Sequence, residues 1–377
     1  MTERLYLTEV HDHSAGDRAY GQATSRNWRL LLGSLRQAGI ELPRALPHDA
    51  RQLLSRRAFQ PMRMDTGTAS SAETSRIALY VHYSANGSIS EMVRRQLFFL
   101  RQGGFSVVFI SMASHIPEPD WQAVRASCAL VVQRRNLGLD FGAWQDVMPE
   151  VQRRWGIPDE LMLVNDSILG PITPITPVLE TMRSGGVGLF GLTESLQGGA
   201  HLQSYMLMTR GKAATSDLMR FVECMFISHS KWLLIQLGEI RLTRWMRRRG
   251  HKVAAVFGYD RVVQAALAYP AEWDRVIASH RYLRKLDHLS SAVGAEMLKK
   301  WPLNPTHHLW YVLVKRFGFP FLKTELVARN PGRIPGMTEW AQVVPDDAPC
   351  PVQMLQAHLL TVAPPWSVRH GNRQPRI

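Results

Sequence analysis

From residue 76 the chain alternates short apolar runs with amphipathic stretches. RIALYVHY (76–83), FSVVFISM (105–112), CALVVQR (128–134) and ELMLVND (160–166) are strand-length runs with almost no polar interruption. Runs of this kind fit strands buried on both faces, as in a parallel sheet. EMVRRQLFFLRQGG (91–104) between the first two repeats its apolar residues at helical spacing and stops on glycine. A helix carrying Trp121 and Val124 follows the second strand, and another, from about 141 to 155, follows the third. Strand alternating with helix at this spacing predicts a parallel α/β sheet with right-handed crossovers.

Outside this block the pattern weakens. Residues 1–75 read as a leader with one amphipathic helix over 26–39 and a polar linker over 64–75. GVGLFGLTE (186–194) and SYMLMTR (204–210) read as strands, with helices near 213–228 and 231–249. From about 332 the chain is rich in proline and is expected to be a mostly irregular tail. The expected units are therefore 1–75, a domain over 76–331 and a tail over 332–377.

Composition narrows the class. With 377 residues and 45% hydrophobic content the chain can bury a sizeable core in two or three domains at most. No uncharged apolar stretch nears the ~20 residues needed to cross a bilayer, and residues 1–30 lack a signal-peptide core. Cys128, Cys224 and Cys350 lie too far apart in sequence for a CxxC metal motif, so a reducing cytoplasm is expected. The charge of +14 implies an anionic partner without naming it. Its densest cluster is Arg241, Arg244, Arg247, Arg248, Arg249 and Lys252, which also suits a solvated helix face.

In parallel sheets ligands bind beyond the carboxyl ends of the strands. The polar residues there are His82, Tyr83, Asn136, Asp140, Asn165 and Asp166. In RNLGLDFGAW (135–144), glycines 138 and 142 permit close backbone approach beside Asn136 and Asp140; a tight turn with a helix cap would use the same residues. In LVNDSILGP (163–171) an apolar strand runs into Asn165, Asp166 and Ser167. Asp166 there can hold Mg²⁺ or Mn²⁺, or simply cap the next turn. Glu239 heads the basic run GEIRLTRWMRRRGHKVAAV (238–256), where a helix dipole favours a carboxylate. Gly186, Gly188 and Gly191 match a dinucleotide-binding spacing, but they fall inside a strand that follows a helix, which is the wrong context.

The ordered set R-N-x-G-x-D-F-G-A-W, N-D-S-x-x-G-P and H-L-Q-S-Y-M, with LNPTHHLW (303–310) and GFPFLKTELVARNP (318–331), resembles the rhamnan synthesis F family of polysaccharide glycosyltransferases. The likeness runs over about 76–331. It implies an A-type glycosyltransferase fold, a mostly parallel nucleotide-binding sheet joined to a mixed acceptor-side half. It also implies that His82 and Tyr83 face the nucleobase, that Asn136 and Asp140 hold the nucleoside, and that Asn165 and Asp166 stand where this fold has a D-x-D metal motif. Asn165 replaces the first acid of that motif, which leaves dependence on a divalent metal (Mn or Mg) open. His307 or His308 would complete the metal shell, unless they are core or capping histidines, while Lys323 and Arg329 are expected to bind the donor and, if no metal binds, to supply positive charge directly. Glu239 falls at the position of the catalytic base of inverting enzymes, with Gly238 and Arg241 departing from the acids on either side.

The expected function is transfer of a sugar, rhamnose by the resemblance, from a nucleotide-sugar donor to a growing cell-surface polysaccharide such as an O-antigen, with inversion. The acceptor would be a glycan, lipid-linked in pathways of this type, and the basic helix would meet the inner face of the membrane. Nucleic acid is not an expected partner, because only Trp245 interrupts the arginine cluster where a polyanion binder would interleave aromatics. The rivals are a non-catalytic glycosyltransferase-like scaffold and a basic polyanion- or membrane-binding protein.

Overall fold

The computed structural model describes residues 3–11, 38–47, 49–50, 61–69, 75–228, 230–279 and 291–362. Its strands are β1 (Thr8–Glu9), β2 (Arg63–Thr66), β3 (Arg76–His82), β4 (Ser106–Ser111), β5 (Leu130–Gln133), β6 (Glu160–Asn165), β7 (Ile168–Leu169), β8 (Gly188–Ser195), β9 (His201–Leu202), β10 (Met206–Arg210), β11 (Lys252–Phe257) and β12 (Leu322–Lys323). Between the first strands of the block lie helices α1 (Glu91–Gln102), α2 (Glu118–Ser127) and α3 (Leu139–Trp155), followed by α4 (Thr176–Ser184) and α5 (Lys212–Cys224).

One sheet runs in the order β1-β11-β8-β10-β6-β3-β4-β5-β2, with β9 on β8. The quartet β6-β3-β4-β5 is parallel throughout. Beyond it β10 runs antiparallel to both β6 and β8, and β11 returns parallel to β8. This is the expected α/β architecture, a parallel half joined to a mixed one.

The apolar runs are continuous because both faces of the sheet are covered. On β3, Ala78 and Tyr80 enter one core with α1, α2 and α4. Ile77, Leu79 and Val81 enter the other with α3 and α5. Each helix start has a local cause. The Ser90 hydroxyl accepts from Val93 N at the head of α1, and α3 begins on Gly138 in the left-handed region, φ 74.

Three expectations change. Residues 64–66, the start of the expected linker, join Arg63 in β2, which pairs antiparallel with β5 at the sheet edge; its half-exposed residues (RMDT) gave no apolar signal. The described residues after 332, which end at 362, are not mostly irregular. They include a 3-10 turn, Met337–Val343, and a helix, Val352–Val362, and they add Cys350 and Leu355 to the core. Glu239 does not head a helix. It lies in a π-helical stretch, Ile235–Ile240, between the α-helical turns Lys231–Leu234 and Arg241–Arg248. Residues 38–47 are helical, whereas the rest of the helix expected over 26–39, with His13, Trp28 and linker residues 70–74, lies outside the described residues. Gly188 and Gly191 are in β8, as their context required.

Gly142 gives a test of this packing. A Cβ there would come 2.4 Å from the carbonyl oxygen of Leu137, in the loop that aims Asp140. Helix propensity alone favours alanine by roughly 0.5–1 kcal/mol. Overpacking opposes it by about 1–3 kcal/mol. Gly142→Ala is therefore expected to lower stability in chemical denaturation; a stabilised variant would contradict the close approach.

Candidate functional site

A cavity of about 800 Å³ opens at the carboxyl ends of β3 and β6. Tyr83, Asp140, Asn165, Asp166, Glu239, His307, Lys323 and Arg329 all line it. Residues over 240 positions apart in the chain thus share one cleft. Two expected members do not join. His82 is buried: its Nδ1 meets Ser111 Oγ at 3.1 Å and its ring lies 5.3 Å from Phe109. Burial, with His358 nearby, pushes its pKa down to about 3, so it is neutral. The side chain of a strand's last residue points to one face of the sheet, and here that face is core. Asn136 is exposed on the loop before α3 and is not part of the cavity lining.

On the floor, the turn after β6 is tied by its own polar groups. Asn165 Nδ2 donates to Asp140 Oδ2 at 2.7 Å, and Asn165 Oδ1 accepts from Ser167 N at 3.1 Å and from Ser167 Oγ. Asp166 Oδ2 accepts from Tyr83 N at 2.6 Å. Two acids share this floor. Burial, with Asp140 adding like charge, pushes the Asp166 carboxyl up to about 8. Burial and the charge of Glu239 push Asp140 up to about 6, against the opposing pull of Lys323.

Lys323 reaches the floor because β12 pairs with β7, setting Lys323 opposite Ile168. Its Nζ donates to Ser167 Oγ at 2.8 Å and sits 4.8 Å over the Tyr205 ring. Burial brings its pKa down to about 8, although Glu239 and Asp140 favour the charged form. At the rim Lys231 Nζ bonds Glu325 Oε2 at 2.7 Å, and Arg329 reaches the other Glu325 oxygen at 3.3 Å.

Glu239 forms the opposite wall. Its Oε1 accepts from Ser204 N at 2.9 Å and from Ser204 Oγ at 2.6 Å; its Oε2 lies 3.4 Å from His201 Nε2. Burial alone would raise its pKa, but these donors outweigh that and hold it below the usual range. It is therefore ionised at neutral pH. Oε1 has both lone pairs in use, and Oε2 keeps capacity for an incoming hydroxyl. Gly238 is explained by packing: a Cβ there would come 2.7 Å from the Phe141 ring. π-Helical turns recur at functional sites, and this one carries Glu239.

Sequence reasoning quoted H-L-Q-S-Y-M without assigning roles to Gln203, Ser204 and Tyr205, which line the cavity. The local signal was a polar pair between two short strands. Thr324 and Glu325, inside the quoted GFPFLKTELVARNP, also line it without an assigned role, as does Lys231.

The model of Rhamnan synthesis protein F matches residues 107–274. That span includes Asp140, Asp166 and Glu239, and it bears out the resemblance read from the sequence. Virulence protein VirA of Vibrio anguillarum (strain ATCC 68554 / 775) is 27% identical over 214 residues, 55% of this chain and 66% of that protein. The uncharacterized protein y4gN of Sinorhizobium fredii (strain NBRC 101917 / NGR234) is 26% identical over 194 residues, 50% of each. The chain thus spans less than two thirds of the length of these relatives. A solved structure from Desulfovibrio desulfuricans G20, assigned to the nucleotide-diphospho-sugar transferases, aligns with 60% of this chain and 97% of its own at 12% identity and a TM-score of 0.29. At that score it adds nothing to the fold described above. The family match supports a glycosyltransferase-like role. Among the described residues no helix is long and apolar enough to cross a membrane.

The Asp166 carboxyl yields a pH prediction. Its pKa rises from an ordinary 3.8 to about 8 on folding. Between those values the folded protein keeps a proton that the unfolded chain has released. The stability tied to that proton is full below the lower value and is lost as pH rises toward the upper one. Asp166→Asn removes this loss while leaving Tyr83 N an acceptor. It is expected to melt at a higher temperature than the wild type at pH 7, with the gap closing toward pH 4. A gap that is absent at pH 7, or that widens on acidification, would contradict the burial of this carboxyl.

Proposed function

We propose that this protein transfers a sugar from a nucleotide-sugar donor to a glycan acceptor. The observation that carries the reading is one cleft at the strand ends with two acids on its floor, a buried cation beside them and an ionised carboxylate on the facing wall. The donor's nucleoside would lie toward Tyr83 and Asp140, its diphosphate at the floor, and its sugar toward Glu239. As the acceptor oxygen bonds to the anomeric carbon, the bond from that carbon to the diphosphate oxygen breaks. The nucleoside diphosphate leaves with the electron pair, and the acceptor's proton passes to Glu239 Oε2. One displacement inverts the anomeric centre. The family name favours rhamnose as the sugar and a surface polysaccharide such as an O-antigen as the product.

His201 supports the role given to Glu239. Its Nδ1 lies 2.7 Å from the carbonyl oxygen of Gly199, which orients the ring with Nε2 3.4 Å from Glu239 Oε2. A non-catalytic scaffold also has one observation in its favour: the bonds from Ser204 and His201 are those a purely structural acid would make. Glu239→Gln separates the two. Donor binding by calorimetry should be nearly unchanged, while turnover falls by about 10²–10⁴-fold. Unchanged turnover, or a product of retained configuration, would remove Glu239 or the single displacement from the scheme.

The membrane reading narrows to one helical face. Leu242 and Met246 are buried, while Arg241, Arg244 and Arg248 are exposed. Arg249 is engaged with Trp245 and Asp217. Each exposed arginine near an anionic bilayer contributes about 1 kcal/mol. Changing Arg241, Arg244 and Arg248 to glutamate should weaken flotation with anionic vesicles most strongly at low salt. Equal flotation of variant and wild type would leave the helix a solvated face.

A further inference from the structure

The fold resemblance implies a divalent metal on the Asp166 turn, and the donor atoms present can be tested against that. Mg²⁺ and Mn²⁺ take about six hard oxygen or imidazole ligands close to octahedral geometry. Among the described residues no group of three or more His, Cys, Asp and Glu side chains could hold a metal. Asn165, at the place of the first acid, has its oxygen committed to Ser167 and turns its amide hydrogens to Asp140. Asp166 already accepts from Tyr83 N. His307, the other expected ligand, lines the cavity from a separate helical turn, Pro305–His308, and not from the Asp166 turn. The described residues hold no preformed three-ligand site, so a divalent cation there would rest on Asp166 and the donor's own phosphates.

What occupies the place is an ammonium. Lys323 Nζ has three hydrogens, and Ser167 Oγ takes one. Its backbone is fixed to the same turn: β12 pairs with β7, Thr324 N donates to Ser167 O at 3.0 Å, and Thr324 Oγ1 donates to Asp166 O at 3.3 Å. The charge is thus locked to the turn that would carry a metal, and two donors remain for phosphate oxygens. A divalent ion bound beside it would meet a like charge.

We infer that Lys323 is the resident cation of the site and binds the donor's diphosphate in place of a divalent metal. The inference rests on the nucleotide-sugar reading and goes beyond it by fixing how the leaving group is neutralised. When the bond to the anomeric carbon breaks, the charge that develops on the diphosphate is met by a preorganised ammonium.

The test is titration calorimetry on the full chain with dTDP, UDP and GDP and with their nucleosides, in EDTA and in excess Mn²⁺. The preferred diphosphate should bind the wild type equally well in both buffers. Lys323→Gln should weaken that binding in EDTA by about ten- to a hundredfold, the loss of one charged hydrogen-bond donor, while leaving nucleoside binding unchanged. Lys323→Arg should keep most of the affinity. A wild-type affinity that collapses in EDTA overturns the inference, and needs no variant to fold. Lys323→Gln binding the diphosphate as tightly as the wild type overturns it as well. Failure of every nucleoside and diphosphate to bind the wild type would strike the donor reading itself and take the inference with it.

Discussion

The bond from Lys323 Nζ to Ser167 Oγ joins two segments 156 residues apart, and the electrostatics of the cleft turn on it. Asp140, Glu239 and Glu325 each act on this ammonium. It in turn lowers the cost of keeping Asp140 and Asp166 together on one floor. Without it ionising both acids would cost more, and stripping one partner from a buried charged arrangement typically costs about 3–5 kcal/mol. An anionic ligand delivered to the floor would lose the buried ammonium nearest Asp140 and Ser167. The lysine therefore makes the acidic floor tolerable and gives a diphosphate a reason to enter it.

The rest of the fold holds that ammonium in register with its counter-charges. The parallel quartet brings the ends of β3 and β6 side by side, so Tyr83 N and Asp166 can bond directly. The left-handed start of α3 on Gly138 turns Asp140 toward Asn165. The π-helical turn presses Gly238 onto Phe141 and presents Glu239 to Ser204 and His201.

Much of the framework was legible because the strands are buried on both faces, which writes them as unbroken apolar runs. The strand-end rule located Tyr83, Asn165 and Asp166 for the same reason. It failed at His82, whose side chain turns to the core face, a choice that depends on strand phase and not on composition. It failed at Asn136, because being near a strand end does not decide which way a loop residue points. The β7–β12 pair could not be read at all: two residues carry no periodicity, and only the tertiary pairing sets Lys323 opposite Ile168. The helix Val352–Val362 was hidden by the prolines around it, and the π-helical turn by its continuity with the flanking helical pattern.

The central claim is that this cleft receives a nucleoside diphosphate with its phosphates on Lys323. The most direct measurement is a crystal structure of the protein grown with its preferred nucleoside diphosphate in the presence of EDTA. The account predicts a phosphate oxygen within hydrogen-bond distance of Lys323 Nζ, about 2.7–2.9 Å, and the base toward Tyr83, with Glu239 facing the space beyond the terminal phosphate. A diphosphate bound away from Lys323, or seated there only when a metal ion bridges it to Asp166, would contradict it.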